Sequence, residues 1–214
     1  MEAQDETKAR LLSAAGEIFS RKGFRRGTIR DICGLAGANV AAVNYHFGGK
    51  AGLYRELLKY AFQEDLRRHP PDLGLDTGSS PEMRLGAFIH SLFVRILGKG
   101  RPDWHGRLLA KELVEPSTAL DKMVEASVRP QAERLTAIVA ALLGPGATPC
   151  NVRLCALSVV GQCQHYVRAR PIIERLYPEI GFDEAGIATL AAHVTRFSLA
   201  AIRQYSEEAT HVGT

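Results

Sequence analysis

Apolar residues in the first part of the chain recur at helical spacing between glycines. In the first segment, from about Asp5 to Lys22, they lie three, four and seven positions apart, which predicts a helix with one buried face. Gly23 predicts the end of that helix, because glycine adopts the left-handed conformation of a C-terminal cap without strain. An amphipathic helix therefore opens the chain.

A second, shorter helix is predicted from Thr28 to Gly37. Thr28 and Asp31 have the spacing of a capping box, in which each side chain bonds to the backbone N–H of the other residue. The apolar residues after the box, Leu35 among them, are expected to face inward. Gly37 then provides the tight turn that leads to the next helix.

A third helix is predicted from Asn39, a favourable N-cap residue, to Phe47. Val43 and Phe47 lie one turn apart and are expected to anchor this helix against the first two. The remaining positions are small or polar and are expected to face outward. Gly48 and Gly49 end the helix.

The rest of the chain also shows helical periodicity, so the predicted fold class is all-α. The stretch 69–82 is rich in proline, glycine and serine and predicts a linker loop. Pro130 is expected to kink or split the helix that contains it. Helices are predicted at about Lys50–Arg68, Pro81–Leu97, Trp104–Val114, Thr118–Leu143, Asn151–Arg168 and Asp183–Ser206.

Composition narrows the class of protein. With 46% hydrophobic and 23% charged residues, the chain resembles an ordinary globular protein. Its four cysteines lack the spacing of a zinc site or a disulfide scaffold, so no metal and no cofactor are predicted. No stretch approaches the roughly 20 uninterrupted apolar residues of a membrane span, and the first residues do not resemble a signal peptide. We therefore expect no membrane association and a cytoplasmic location.

The positive charge is concentrated at the N-terminal end. Residues 1–70 contain 12 Lys and Arg against 8 Asp and Glu, whereas residues 71–214 contain 15 of each. A basic surplus on two short helices joined by a glycine turn is typical of a helix-turn-helix that binds double-stranded operator DNA. The alternative is a three-helix bundle whose basic face is merely solvated.

The predicted DNA contacts follow from this geometry. Arg30 is expected to reach a guanine edge or a phosphate, and Asn44 a base edge, while small apolar residues contact thymine methyl groups. Polar residues at the helix ends are expected to bind phosphates. The predicted DNA-binding residues are Thr28, Arg30, Asn39, Val40, Ala41, Asn44, Tyr45, His46 and Lys50.

The segment GTIRDICGLAGANVAAVNYHFGGKAGLY resembles the DNA-binding segment of the TetR family of repressors. The family pattern has a threonine before the second helix, a glycine turn, an aromatic residue at the end of the recognition helix, and then a lysine and Leu-Tyr. Asn44 stands where the family often has a tyrosine, so a different base preference is expected. Segments RLLAKELVEPSTALDKMV and RPQAERLTAIVAALLG further resemble the CecR-type branch, which implies a helical C-terminal domain and a homodimer formed by the last two long helices.

Two apolar segments of the C-terminal part are candidates for ligand binding and dimerisation. The helix over LCALSVVGQCQHYVRAR is almost wholly apolar from Leu154 to Gly161 and then presents Gln162, Gln164, His165 and Tyr166. Such a helix is expected to be buried nearly all round, in a dimer bundle, a cavity wall, or both. Core packing is the alternative for each residue. The candidate ligand contacts are Phe88, Leu92, Trp104, Leu108, Glu112, Gln162, His165 and Tyr166. The candidate dimer contacts are Leu190, Ala191, Val194, Phe197, Ser198 and Ala201.

No nucleophile with its base, carboxylate pair or metal cluster occurs at a diagnostic spacing, so an enzyme is not predicted. We predict a ligand-responsive transcriptional regulator, most simply a repressor that a small molecule releases from a palindromic operator. The alternative is a helical dimerisation or adaptor protein with a vestigial DNA-binding domain. The predicted domains are residues 1–50 for DNA binding and residues 51–214 for regulation and dimerisation.

Overall fold

A computed structural model describes residues 2–76, 78–100 and 102–211, and every regular element within these ranges is helical. The all-α prediction is therefore confirmed. The helices are α1 (Glu2–Arg26), α2 (Ile29–Ala36), α3 (Val40–Phe47), α4 (Lys50–Arg68), α5 (Pro81–Leu97), α6 (Trp104–Val114), α7 (Leu120–Met123), α8 (Arg129–Leu143), α9 (Pro149–Arg168), α10 (Arg170–Leu176) and α11 (Glu184–His211). A π-helical segment, Val124–Val128, joins α7 to α8.

The helices form two compact units. The first runs from α1 to Asp65 and also includes the chain from α6 to Arg129. It extends beyond the predicted boundary at residue 50, because residues of α4 and α6 are buried in the same core as α1, α2 and α3. Its largest buried side chains include Leu11, Phe19, Ile32, Val43, Leu53, Leu57, Trp104 and Leu108.

The second unit comprises Leu66–Gly100 and the chain from Pro130 to the end of α11. In it, α11 packs against α5 and α9. Its core includes Ile89, Phe93, Leu135, Ile138, Val159 and Val194. Cys163 belongs to this core, and burial raises the pKa of its thiol to about 12, which keeps the thiol protonated at neutral pH.

Two helix ends depart from a simple helical pattern. Gly23 has φ 75° and ψ 169°, which breaks α1 as predicted, but the chain resumes helical hydrogen bonding until Arg26. Before Pro130, the N–H of Arg129 donates to the carbonyl of Val124, five residues back. Proline cannot donate the bond that an α-helix requires at position 130, and the π segment accommodates this loss.

One sequence prediction within the helices was wrong, and one helix was not predicted. Leu35 is 58% exposed, whereas Cys33 and Ala36 of the same helix are buried beside Ile32. The seven-residue helix α10 was not predicted, since a segment this short, with a proline and three charged residues, has no clear periodicity.

Candidate nucleic-acid interface

Side-chain caps fix both helices of the predicted helix-turn-helix. The Thr28 hydroxyl accepts a hydrogen bond from the N–H of Asp31 (3.1 Å), and the Asp31 carboxylate accepts one from the N–H of Thr28 (3.3 Å). The side-chain oxygen Oδ1 of Asn39 accepts a hydrogen bond from the N–H of Ala41 (3.0 Å). Gly37 between the helices is left-handed, with φ 58°. The predicted caps therefore set where α2 and α3 begin.

The helix α3 has one buried face and one exposed face. Val43 is fully buried and Phe47 is 7% exposed, so both anchor the helix in the first unit. On the opposite face, Val40 is 45% exposed and Tyr45 is 75% exposed. Thr28, Arg30, Asn39, Ala41 and Asn44 are also exposed, and His46 is half-buried beside Tyr45. Eight of the nine predicted DNA contacts thus lie on α3 or at the first turn of α2 and α3.

A salt bridge joins the end of α1 to the start of α2. The Lys22 Nζ lies 2.9 Å from Oδ2 of Asp31. This hydrogen bond, followed by one with the Thr28 side chain, holds the pKa of the Asp31 carboxyl below its ordinary value. The ionised carboxylate therefore serves the capping box and the α1–α2 contact at once.

Lys50, the ninth predicted contact, is placed differently. Its Nζ donates to the backbone carbonyl of Arg25 at 3.1 Å and lies 4.9 Å from the centroid of the Phe24 ring. These partners belong to the protein's own α1, so the ammonium group already has a hydrogen-bond acceptor and an aromatic neighbour.

Three predicted ligand residues lie in the core of the first unit. Trp104 and Leu108 are buried there, and the indole packs so closely on Gly16 that a Cβ at that glycine would lie 2.3 Å from the ring. Glu112 is 1% exposed and accepts hydrogen bonds from the Tyr54 hydroxyl (2.7 Å) and from the N–H and hydroxyl of Ser117. Burial and this carboxylate raise the pKa of Tyr54. These contacts give Glu112 a role in joining α4 to α6.

The other five predicted ligand residues lie in the second unit. Phe88 is buried and Leu92 packs against the same core. Tyr166 is half-buried, with its ring 5.9 Å from that of Phe93. His165 is exposed, and the Gln162 amide donates to the hydroxyl of Ser198 (3.2 Å). The eight residues are therefore divided between two cores and the outer face of α9.

The predicted dimer contacts lie on two sides of α11. Leu190, Ala191, Val194 and Ser198 are buried in their own unit, at most 5% exposed. Phe197 is 60% exposed and Ala201 is also exposed.

Phe197 and Ala201 line a groove of about 210 Å³ between α9 and α11. Sequence reasoning missed three other residues of this surface, Leu154, Leu157 and Tyr205, which are all exposed; Leu154 and Tyr205 line the groove. For Leu154 and Leu157 the signal in the sequence was the apolar stretch of α9 up to Gly161, whereas Tyr205 near the end of α11 had no such signal.

Two family models match most of the chain. Residues 11–57 match the model of the tetR family of bacterial regulatory proteins. Residues 81–202, more than half of the chain, match the model of the C-terminal domain of the HTH-type transcriptional dual regulator CecR. This chain belongs to the TetR family. The match to the CecR C-terminal domain places it in the CecR-like branch of this family, whose members are transcriptional regulators and not enzymes.

Individual relatives of this TetR-family chain are distant. The repressor NicS of Pseudomonas putida is 34% identical over 42% of this chain and 43% of its own length. The dual regulator CecR of Shigella flexneri is 24% identical over 74% of each chain. The regulator TtgR of Pseudomonas putida is 40% identical, but the match spans only 27% of each chain. The chain thus covers less than half the length of NicS and TtgR.

Solved structures share the fold. A transcriptional regulator from Pseudomonas aeruginosa PAO1 superposes with a TM-score of 0.68 at 23% identity, over 92% of this chain and 93% of its own. Bacillus subtilis FadR, solved in complex with stearoyl-CoA, gives a TM-score of 0.67 at 16% identity, over 89% of this chain and 97% of its own. These likenesses establish the TetR-type helical fold.

Proposed function

We propose that this TetR-family regulator is a homodimeric repressor that binds a near-palindromic operator in the cytoplasm and leaves it when a small molecule binds. DNA contact is assigned to residues 1–50, and dimerisation and effector binding to residues 51–214. The exposed face of α3 carries the proposal, because its small and polar residues stand on a capped helix that two buried residues, Val43 and Phe47, anchor. A helix of this kind fits the major groove.

The exposed residues divide into base readers and phosphate contacts. Asn44 offers both an acceptor and a donor to an adenine edge, and Val40 and Ala41 offer methyl groups to thymine. Arg30 reaches a guanine or a phosphate from the first turn of α2. The proposed phosphate contacts are Thr28, Asn39, Tyr45 and His46. In Thr28 and Asn39, the side-chain oxygen accepts the capping hydrogen bond, which leaves the hydroxyl O–H and the amide N–H groups available as donors.

A second copy of the chain is proposed to cover the outer surface of α9 and α11. Phe197, Ala201, Leu154, Leu157 and Tyr205 form this surface, which we call the α9–α11 face. Large exposed apolar patches rimmed by polar groups mark interaction sites. The other four residues that the sequence predicted for this interface lie on the buried side of α11 and pack in the core of their own unit. They are Leu190, Ala191, Val194 and Ser198.

The composition of α11 agrees with two packed faces. By length and hydropathy, Glu184–Glu207 passes the test for a membrane-spanning helix, the one segment among the described residues that does so. Only 33% of its most apolar stretch is buried. An apolar face toward its own core and another toward a partner subunit account for this composition without a membrane.

The effector is proposed to be a small, mostly apolar molecule with one hydrogen-bonding group. Phe88 and Leu92 supply apolar surface in the second unit, and the half-buried Tyr166 supplies a hydroxyl. Trp104 and Leu108 are the candidates in the first unit. Glu112 and Gln162 are weaker candidates because their polar atoms are already hydrogen-bonded, and His165 is weaker because it is exposed.

The test is fluorescence anisotropy of the full chain with duplexes from the region upstream of its own gene, followed by footprinting. We expect binding to a near-palindrome that weakens steeply with salt, because phosphate contacts release counterions. Sedimentation should give two subunits per duplex or a multiple of two. Absence of sequence-preferring binding by a folded dimer would instead support the adaptor alternative.

A further inference from the structure

Two arginines stand at the corner between α1 and α2, in the stretch GFRRGT that leads to the Thr28 cap. Gly23 leaves the helical conformation, and Arg25 and Arg26 belong to the short last turn of α1 that follows it. Both arginines are exposed, and neither side chain forms a hydrogen bond or an ion pair with another residue in the described part of the chain. The corner therefore presents two guanidinium groups to solvent.

The basic residues just before this corner differ, because each has an acidic partner. Arg21 pairs with Glu17 at 3.0 Å, and Lys22 pairs with Asp31 at 2.9 Å. Each of these pairs adds no net charge to the surface. The surplus positive charge at the end of α1 therefore belongs to the two arginines of the corner.

The two arginines are not needed to stabilise the end of α1. The last carbonyls of a helix have no partner within the helix, and cationic groups near them are favourable. Here the Nζ of Lys111 donates to the carbonyl of Arg21 at 3.2 Å, and the Nζ of Lys50 donates to the carbonyl of Arg25 at 3.1 Å. Because two lysines already serve these carbonyls, the guanidinium groups are available to a partner outside the chain.

The corner adjoins two residues that were predicted to contact phosphates. Thr28 follows Arg26 by two positions, and the Lys50 ammonium lies within hydrogen-bond distance of the Arg25 backbone. An ammonium group has three N–H donors, so Lys50 retains two for a phosphate when one is used by the Arg25 carbonyl. A guanidinium group presents five donors and can bind a phosphate through two of them at once.

We propose that Arg25 and Arg26 bind DNA phosphates beside those predicted for Thr28 and Lys50, so that the interface extends from the helix-turn-helix onto the end of α1. The inference rests on the proposed function, since the partner is the same operator DNA. Phosphate contacts carry no direct sequence information, so these two add affinity for every duplex. In a dimer on a near-palindrome, each arginine meets one phosphate in each half-site.

The experiment measures the affinity of the full-length protein for its operator duplex between about 50 and 200 mM salt. Each phosphate contact contributes about 0.9 to the steepness of log affinity against log salt, and a dimer loses two contacts per substitution. Arg25→Met and Arg26→Met should therefore each make the slope shallower by about 1.8, and the affinity deficit of each variant should shrink about tenfold over this range. Arg25→Lys and Arg26→Lys keep the charge and should keep the wild-type slope. A role in folding alone would give the same deficit at every salt concentration.

Arg10→Met is the matched control. Arg10 is an exposed arginine of the same helix, about 20 Å from the corner along the helix axis, and its loss should leave the slope unchanged. Duplexes in which one phosphate at a time is replaced by a neutral methylphosphonate give a second readout. In each half-site, at least one such replacement should weaken binding of the wild type but not of the Met variant that has lost the corresponding contact.

The two readouts also define what would contradict the proposal. A wild-type slope in both Met variants, or the same set of sensitive phosphates in wild type and variants, overturns it. A wild-type slope in one variant removes that arginine from the interface. If the wild-type protein itself shows no sequence-preferring, salt-dependent binding, the proposed function fails before the arginines are tested.

Discussion

The helices α3 and α11 distribute their apolar residues in opposite ways. In α3, Val43 and Phe47 are buried, and the opposite face carries Asn44 and Tyr45, which water or DNA can solvate. In α11, Val194 is fully buried, yet Phe197 on the other side is 60% exposed. One helix is complete when packed in its own unit, whereas the other still exposes apolar surface to water.

This difference indicates what each helix requires for function. A helix with a polar outer face needs no second packing partner once its apolar face is buried. Its outer face can be used to read a ligand such as DNA, because exposing that face costs little. A helix with two apolar faces requires a second packing partner, since exposed apolar area costs free energy in proportion to its size. The recognition surface on α3 therefore exposes polar side chains, whereas the proposed dimer surface on α11 exposes apolar ones.

The largest expected effect comes from a charge on the core side of α11. Ala191 is 4% exposed, so Ala191→Glu would bury a carboxylate with no partner designed for it. We expect destabilisation of more than about 4 kcal/mol and loss of the cooperative melt of the second unit. Circular dichroism during heating measures this. A near-native melting temperature would show that the buried side of α11 is not core.

The same substitution on the other side of α11 should act differently. Phe197→Glu places a charge on the α9–α11 face, where it can remain hydrated in the monomer but not in the proposed dimer. We expect a folded monomer in sedimentation velocity and at least a hundredfold loss of operator affinity, as about 2.7 kcal/mol would give.

Met83→Glu is the matched control for this variant, because Met83 is 56% exposed elsewhere in the second unit. It should leave both the sedimenting mass and the melting temperature unchanged. If the Phe197→Glu protein is still a dimer, the α9–α11 face is not the dimer interface, whatever the result for Ala191→Glu.

The exposed face of α3 can read DNA only if the helix-turn-helix has a rigid support beneath it. Tyr54→Phe removes one of three donors to the buried Glu112 carboxylate. We expect the free energy of unfolding to fall by about 1.5–3 kcal/mol, the range for hydrogen bonds to charged groups. Urea denaturation measures it. Tyr60→Phe on the same helix is the control, because Tyr60 is 45% exposed and its change should stay within about 0.5 kcal/mol.

The helix-turn-helix could be predicted from the sequence because its signals are local. Thr28 with Asp31, Asn39, and Gly37 determine where helices begin and end within a few residues, and each takes the expected role. Leu35 shows the limit of this reasoning. In an eight-residue helix, a shift of one position in the apolar stripe fits nearly as well, and packing against α1 decided for Cys33 and Ala36.

The C-terminal predictions required information that periodicity does not contain. In α11 both faces are apolar, so the spacing that selected Ala191 and Val194 could not distinguish core from interface. The sequence also does not reveal which residues from distant parts of the chain pack together. Trp104 follows α5 in the sequence but packs on Gly16 of α1, so it belongs to a different core from the predicted ligand residue Phe88.

A smaller effect is expected at the reading face of α3 itself. Asn44→Ala should relax preference at one base pair of each half-site by about 1–3 kcal/mol, because a bidentate amide contact is lost. Tyr45→Phe should instead weaken all sequences about equally, since a phosphate contact carries no sequence information. Competition binding with every single-base operator variant measures both. The same profile for the two variants would contradict this division between base reading and phosphate contact.

The smallest effect concerns the contact that joins α1 to α2. The pKa of Asp31 is expected below its ordinary value, with the hydrogen bond from Lys22 as the main cause and the one from Thr28 next. Because the folded pKa lies below the unfolded one, the contribution of Asp31 to stability is present above the unfolded pKa and is lost as pH falls through the folded value. NMR titration of the carboxyl group measures the midpoint directly. Lys22→Met should raise that midpoint more than Thr28→Ala does, while an unchanged midpoint in Lys22→Met would mean that the salt bridge does not persist in solution and that the capping box alone holds the start of α2.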